Sequence, residues 1–333
     1  MNAVDHNNVV IFDDRGIPSI MCRFVRPKDT EEVPAVFKIG DKVADAIYIS
    51  KYPNIVIDGR AYSMPMADPT VNITFDGAVQ ACRCKGLGWH LMTAVEYEYL
   101  LNQSREKGTM PHGNTDWGKD YYHNDEQGKV SNLGRTYTGT GPVTWNHDHT
   151  PYGVSDLNGN VWEWLAGLRI KDGVIEFVPD NKAASPYCDL SKDSAEWQQA
   201  ETSKGPVRAN VECGEITITD AVAADDYEPD YDGVRIEKLE VELSEIPQVL
   251  KDLGIIPDKR AEEEGKTYVY FDATEGEYMP IRGSAFNNTS NSGPSALNLN
   301  NPRSNSNDNI GFRSALPLCQ EALRSVSYTH LTL

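Results

Sequence analysis

His147-Asp-His149 sets two imidazoles two residues apart, and imidazole is the commonest protein ligand for a metal ion. A metal site built on them would need further ligands, for which His112 and His123 are the candidates. The alternative is that these residues pin a long loop by hydrogen bonds. Asp156-Leu-Asn158-Gly-Asn160 offers carboxylate and amide oxygens at alternate positions, the chemistry of a calcium loop. Its spacing is not that of an EF-hand, because the glycine falls too early and Glu163 is not at the twelfth place. Side-chain hydrogen bonds that shape a tight turn before a strand account for it better. Six cysteines (Cys22, Cys82, Cys84, Cys188, Cys213, Cys319) are scattered along the chain. Cys82 and Cys84 are too close for the spacing of a zinc knuckle. The opening residues Met1-Asn-Ala-Val-Asp-His-Asn-Asn have neither a basic nor an apolar region, so no secretory signal is visible. The thiols are therefore expected to be reduced and mostly structural.

Another kind of chemistry lies near the C-terminus. Between Ser284 and Asn309 stand nine Asn and six Ser, a composition that ordinarily marks a disordered polar tract. Here the tract is bracketed by the strand-like Tyr278-Met-Pro-Ile-Arg and Ile310-Gly-Phe-Arg-Ser-Ala-Leu316. Within it, Ala296-Leu297-Asn298-Leu299-Asn300 alternates apolar and polar residues with the period of a strand. It reads as ordered strands and loops that expose polar side chains on one face.

The elements around these residues are legible. Val9–Phe12 and Ile20–Val25 read as strands about an Asp-Arg-Gly turn, and residues 1–43 as a small N-terminal β-rich piece. Ala46–Ser50 and the segment from Asn54 form a strand pair. Phe75, Ala78, Val79 and Cys82 share one face of a helix from about Thr74 to Lys85, stopped by Gly86 and Gly88. Thr93-Ala-Val-Glu96 is a capping box, with Met92 and Tyr97 placed for a hydrophobic staple, opening a helix to about Lys107 before Gly108. Residues 109–152 carry little periodicity, and a loop of that length is uncommon unless functional or packed as ordered coil. Val161-Trp-Glu-Trp-Leu returns to pattern, and Asp172-Gly173 is a hairpin turn between Leu168–Lys171 and Val174–Val178. From about 180 to 275 the chain is acidic and irregular, with one helix from Ser244 to Leu253. It reads as an insertion and a solvated excursion.

With 333 residues, 39% apolar and 24% charged, the chain can bury the core of two domains or of one enlarged domain. Its net charge of −19 argues against nucleic-acid binding, which needs clustered cations, and against docking on an anionic membrane. No apolar run approaches the roughly 20 residues of a membrane-spanning helix. Much of the negative charge lies in the insertion. The Asn-rich face, with Asp308 set against Arg303, is expected to be near neutral.

Gly153-Val-Ser-Asp-Leu-Asn-Gly-Asn-Val-Trp-Glu-Trp164, followed by Ile281-Arg-Gly-Ser and Gly311-Phe-Arg313, resembles the formylglycine-generating-enzyme and sulfatase-modifying-factor branch of the C-type lectin fold. The resemblance covers roughly 45–170 and 268–317. It implies an α+β C-type lectin fold over 44–317, with the first segment in the core and the last strand closing the sheet. Arg282 to Arg313 is similar to the variable region of target proteins of diversity-generating retroelements. Lys51-Tyr, Gly88-Trp-His-Leu-Met-Thr93 and Trp145-Asn-His-Asp-His-Thr-Pro151 also resemble phage-borne members of that family. Two departures stand out. Gly283-Ser-Ala-Phe286 replaces the usual Gly-Gly-Ser-Trp, and residues 325–333 match nothing in the pattern, so that 318–333 is read as a tail open to a non-native origin.

That resemblance implies a chemical cause for the asparagines. Adenine-directed miscopying acts on Asn codons, which carry adenine at their first two positions and give most residue types without a stop. The implied ligand-binding positions are Asn287, Asn288, Ser290, Asn291, Asn298, Asn300, Asn301, Asn305, Asn307 and Asn309. Gly293, Ala296, Leu297, Leu299, Pro302, Arg303, Gly311 and Phe312 would hold the scaffold. The function expected is non-enzymatic recognition of varied host-surface proteins or glycans, by a phage tail-tip protein made in the cytoplasm or by a displayed protein, beside other virion proteins. No nucleic acid, membrane insertion or catalytic group is expected, and no cofactor, although relatives leave calcium open. This copy retains most of its asparagines and lacks Tyr and Trp within the segment, so weak or no affinity is expected. The competing functions are a formylglycine-generating-type oxidase and a calcium-dependent lectin. Residues 281–316 contain no cysteine for the first, and Asn301-Pro302-Arg303 has no carboxylate for the second.

Overall fold

The computed structural model describes residues 8–224 and 226–319; the leader reading before Asn8 and the tail beyond Cys319 lie outside the described residues. Strands β1 (Asn8–Phe12) and β2 (Pro18–Val25) form a hairpin whose turn is closed by Asp13, its Oδ1 accepting from the amides of Arg15 and Ile17. β2 pairs with the wholly buried β3 (Ala46–Ser50). The boundary drawn at 43 therefore falls inside a sheet rather than between two units.

Helix α1 (Phe75–Arg83) begins at Thr74, whose hydroxyl accepts from the Gly77 amide, and it buries Phe75, Ala78, Val79 and Cys82. It ends two residues before Lys85. After β4 (His90–Leu91), α2 (Ala94–Lys107) opens on the capping box: Thr93 accepts from the Glu96 amide and Glu96 from the Thr93 amide. Met92 and Tyr97 are both buried, and Gly108 ends the helix at φ 65°. Residues 109–152 are ordered coil. β5 (Trp162–Trp164) precedes the hairpin of β6 (Leu168–Lys171) and β7 (Val174–Phe177). Asp172 and Gly173 both take positive φ, 50° and 77°, as a two-residue turn requires.

The insertion is not irregular. It contains β8 (Arg208–Glu212), β9 (Glu215–Thr219), β10 (Tyr231–Arg235), β11 (Glu240–Glu242), the short α3 (Gln248–Asp252) and β12 (Tyr268–Asp272). The helix is shorter than the expected 244–253, since Pro247 precedes it. β13 (Glu277–Arg282), β14 (Leu297–Pro302), β15 (Ile310–Phe312) and β16 (Ser314–Leu318) complete the chain. The last strand includes Leu318, one residue past the expected boundary.

Among the described residues the strands form two main sheets. The five-stranded one runs β1-β2-β3-β16-β4, so the chain's end lies between strands from its first half. The other, of twelve strands, runs β10-β12-β14-β13-β6-β7-β8-β9-β11, with β5 joined to β13 and β15 and a two-residue strand at 198–199 paired with β7. Strands of the insertion thus extend both ends of this sheet. The pairing with β12 covers the edge that Asn-rich β14 would otherwise present to solvent.

Among the described residues, two of the buried ion-pair groups tie distant segments together. Arg313, fully buried, donates through Nε and Nη2 to the two carboxylate oxygens of Glu163 at 2.6 and 2.5 Å. It also donates to the carbonyls of Ser50, Lys51, Ser155 and Asp156. Trp162 and Trp164 flank Glu163 in the core, so the charge between them is buried as well. A second group joins Arg282, Glu98, Arg105 and Glu264, with the Ser295 hydroxyl bonded to Glu264. It ties the end of the insertion to α2 and to the loop before β14.

Candidate functional site

The Asn-rich segment divides into residues that hold the fold and residues that face outward. Leu297, Leu299, Ala296, Ile310 and Phe312 are buried, as are Gly293 and Gly311. Gly283, at φ 90°, lets the chain pass the Leu157 carbonyl, which a Cβ would meet at 2.5 Å. Phe286 is buried against Trp117, ring centroids 5.0 Å apart. Pro302 and Arg303 are less enclosed. Arg303 pairs with Glu277 and Asp76 rather than with Asp308, whose carbonyl accepts instead from Arg135. Glu277 lies on the strand next to β14 and takes the Arg303 guanidinium.

Between these residues runs a chain of amides. The Asn301 Nδ2 donates to Oδ1 of Asn298 at 2.9 Å and of Asn300 at 3.1 Å, and the Asn305 Nδ2 donates to the Asn301 Oδ1 at 2.5 Å. Asn298 and Asn300 are half-buried on the outward parity of β14. Asn301 is the correction. It is 7% exposed and shares the parity of Leu297 and Leu299, so it is a buried link and not a contact position. Extending the same period-two pattern by one residue would have found this.

Asn287 is exposed, and Asn288 turns its Oδ1 back to the Ala285 amide as a local cap. The Ser290 carbonyl accepts from the Tyr122 hydroxyl at 3.0 Å, and Asn291 bonds the Tyr270 phenol, whose pKa burial raises. Tyr270 stands beside Asn298 in the β12–β14 register. One strip therefore runs from Ser290 and Asn291 across Tyr270 to Asn298, Asn300 and Asn305. Asn307 and Asn309 are held differently, through backbone carbonyls that accept from the amides of Asn72 and Trp162. The fixed tyrosines were missed in the sequence, although Tyr268 and Tyr270 share a parity on a strand-like run.

The metal candidates separate. His112, His123 and His149 come together, the first two stacked with centroids 3.6 Å apart, whereas His147 is buried beside Phe24 and accepts from the Val154 amide. Burial lowers its pKa to about 4. His112 and His123 each turn Nδ1 to a carboxylate, Glu126 and Asp120. Among the described residues no group of three His, Cys, Asp or Glu is placed to hold a metal ion. The oxygens of the 156–160 turn are spent on protein donors: Asp156 on the Gly139 amide, Asn158 on the Ser284 hydroxyl, Asn160 on the Thr136 amide. They do not converge as calcium ligands do. Burial pushes the Cys22 thiol up to about 12 and Cys188 to about 11, away from the thiolate that redox or copper chemistry requires. With no cysteine in 281–316, the residues present do not fit a thiol-held copper site.

Residues 53–317 match the family described as the Sulfatase-modifying factor enzyme 1-like domain. The formylglycine-generating enzyme of Mus musculus is 36% identical over 105 residues, which are 29% of this chain and 27% of that protein. The matched stretch thus spans about a quarter of that relative's length. Among solved structures, PvdO from Pseudomonas aeruginosa is 14% identical with a TM-score of 0.40, covering 93% of this chain and 99% of that one. The U1 variant of the Major Tropism Determinant is 13% identical with a TM-score of 0.31, covering 93% and 71%.

Proposed function

Because the chain belongs to the sulfatase-modifying factor enzyme 1-like family and has its C-type-lectin-like α+β fold, we propose that it is a non-enzymatic binding protein with a replaceable recognition face in residues 287–309. One observation carries this. Along β14 the leucines are buried, while Asn298 and Asn300 face outward and bond chiefly within the segment, so their replacement leaves the scaffold untouched. The resemblance to retroelement target proteins supplies the mechanism of replacement, adenine-directed diversification of Asn codons. The ligand is then a protein or glycan on a host-cell surface, and the setting a phage tail tip. There, many copies raise avidity without new contacts.

Sibling sequences test this. Differences should gather at Asn287, Asn288, Asn291, Asn298, Asn300, Asn305, Asn307 and Asn309, and variation spread evenly over the chain would refute it. A near-copy of the segment beside a reverse-transcriptase gene is the expected genomic companion.

The identity with a formylglycine-generating enzyme favours a second reading, a thiol-dependent oxidase. It requires an activity that is lost in Cys319→Ser. We expect none, because no second cysteine stands near Cys319 in sequence.

A further inference from the structure

A segment of Asn and Ser has no large anchor of its own, yet four tyrosines from elsewhere in the chain border it. Tyr121 and Tyr122, at the tip of the 109–152 coil, are exposed and meet edge to face at 5.1 Å. Tyr122 reaches the Ser290 carbonyl. Tyr268 and Tyr270, on β12, lie side by side at 5.8 Å with 30° between their planes. The ring of Tyr270 lies across Gly233 of β10, where a Cβ would stand 2.2 Å from it, so glycine makes the room for that ring. Two cations rest on this strip. Lys266 is 5.9 Å from the Tyr122 ring and Arg235 is 5.9 Å from the Tyr268 ring, and Arg235 is close enough to act electrostatically on the Tyr122 phenol. Neither makes an ion pair among the described residues, on a chain of net charge −19. Beside Tyr122 opens a cleft of about 300 Å³ with His123 and Lys266 on its walls and Ser292 of the Asn-rich segment opposite; of the carboxylates that also line it, Asp120 and Glu264 are bonded to His123 and Arg105, and Glu263 is exposed.

We propose that this tyrosine strip with Lys266 and Arg235 is the fixed, anchoring half of the recognition surface, and that it takes an acidic polysaccharide. The proposal rests on the binding function given above and names its ligand class. Phenol faces pack against the C–H faces of sugar rings and supply apolar area at low conformational cost. Each hydroxyl of a sugar needs a donor and an acceptor, which the amides of Asn291, Asn298 and Asn300 provide. Lys266 and Arg235 meet the carboxylate or sulfate, and the cleft receives one sugar unit.

The test is binding of the full chain to hyaluronan and chondroitin sulfate, with neutral dextran and poly-glutamate as comparisons, by biolayer interferometry. Both acidic polysaccharides should bind at micromolar to millimolar concentration and weaken as salt rises. Dextran and poly-glutamate should not. Tyr122→Ser and the pair Lys266→Glu/Arg235→Glu, all at surface positions, should each weaken binding by about tenfold. No binding to either acidic polysaccharide, equal binding of dextran or poly-glutamate, or no change in these variants overturns the proposal. Asn291→Ala and Asn298→Ala read the other half. If they leave binding unchanged while Tyr122→Ser abolishes it, the anchor stands and the replaceable-face function fails.

Discussion

Replacing Arg313 with Met puts the buried pair with Glu163 to a quantitative test. The guanidinium is fully enclosed, engages both oxygens of Glu163 and also satisfies four backbone carbonyls from two segments. Met fills similar volume but leaves Glu163, itself 1% exposed, as a lone buried carboxylate. Breaking a buried pair on one side costs about 3–5 kcal/mol, so urea unfolding at neutral pH should show a loss of about 4 kcal/mol. Arg313→Lys keeps the charge without the two-pronged geometry and should lose about half as much. The double variant Arg313→Met/Glu163→Leu removes both charges. It should be more stable than Arg313→Met alone by about 1–3 kcal/mol, with the carbonyls still unpaired. A loss under about 1 kcal/mol in Arg313→Met, or a double variant whose loss equals the sum of the single losses, would show that the pair is not the clamp described.

Asp156 is buried, and desolvation raises its pKa to about 6 from 3.8. Between those values the folded chain holds a proton that the unfolded chain has lost. The stability this group contributes is therefore present below about pH 4 and declines as the pH rises to 6. Asp156→Asn should flatten that part of the stability–pH curve in thermal melts, and an unchanged slope would refute it. On β14, Asn300→Tyr should change stability by less than about 0.5 kcal/mol and Leu299→Ala should lose about 2–5 kcal/mol; equal effects would erase the division between face and scaffold. Asn301→Tyr, at a buried link, should cost more than Asn300→Tyr in the same assay. Thr93→Ala removes one arm of the capping box and should lower stability by about 1 kcal/mol, read by urea midpoint.

Local chemistry made much of this protein legible in one dimension. Thr74 and Thr93 start helices because a hydroxyl can cap free amides, Gly108 ends one because it accepts positive φ, and Asp172-Gly173 turns a hairpin for the same reason. Leu297 and Leu299 announce a strand by parity. Each of these depends on residues within a few positions of one another. The insertion looked irregular because, apart from the β8–β9 hairpin, its strands pair across longer separations, β9 with β11, β10 with β12 and β12 with β14. Arg303 pairs with Glu277 and Asp76, distant in sequence, because the neighbouring strand and helix and not the local composition decide what meets a side chain. The sequence alone determined that Asn298 and Asn300 lie on the side of β14 opposite its leucines, since alternation assigns the two faces. Only the tertiary structure decided that Tyr122 and Tyr270 stand against that side, because sheet pairing and loop closure bring them there.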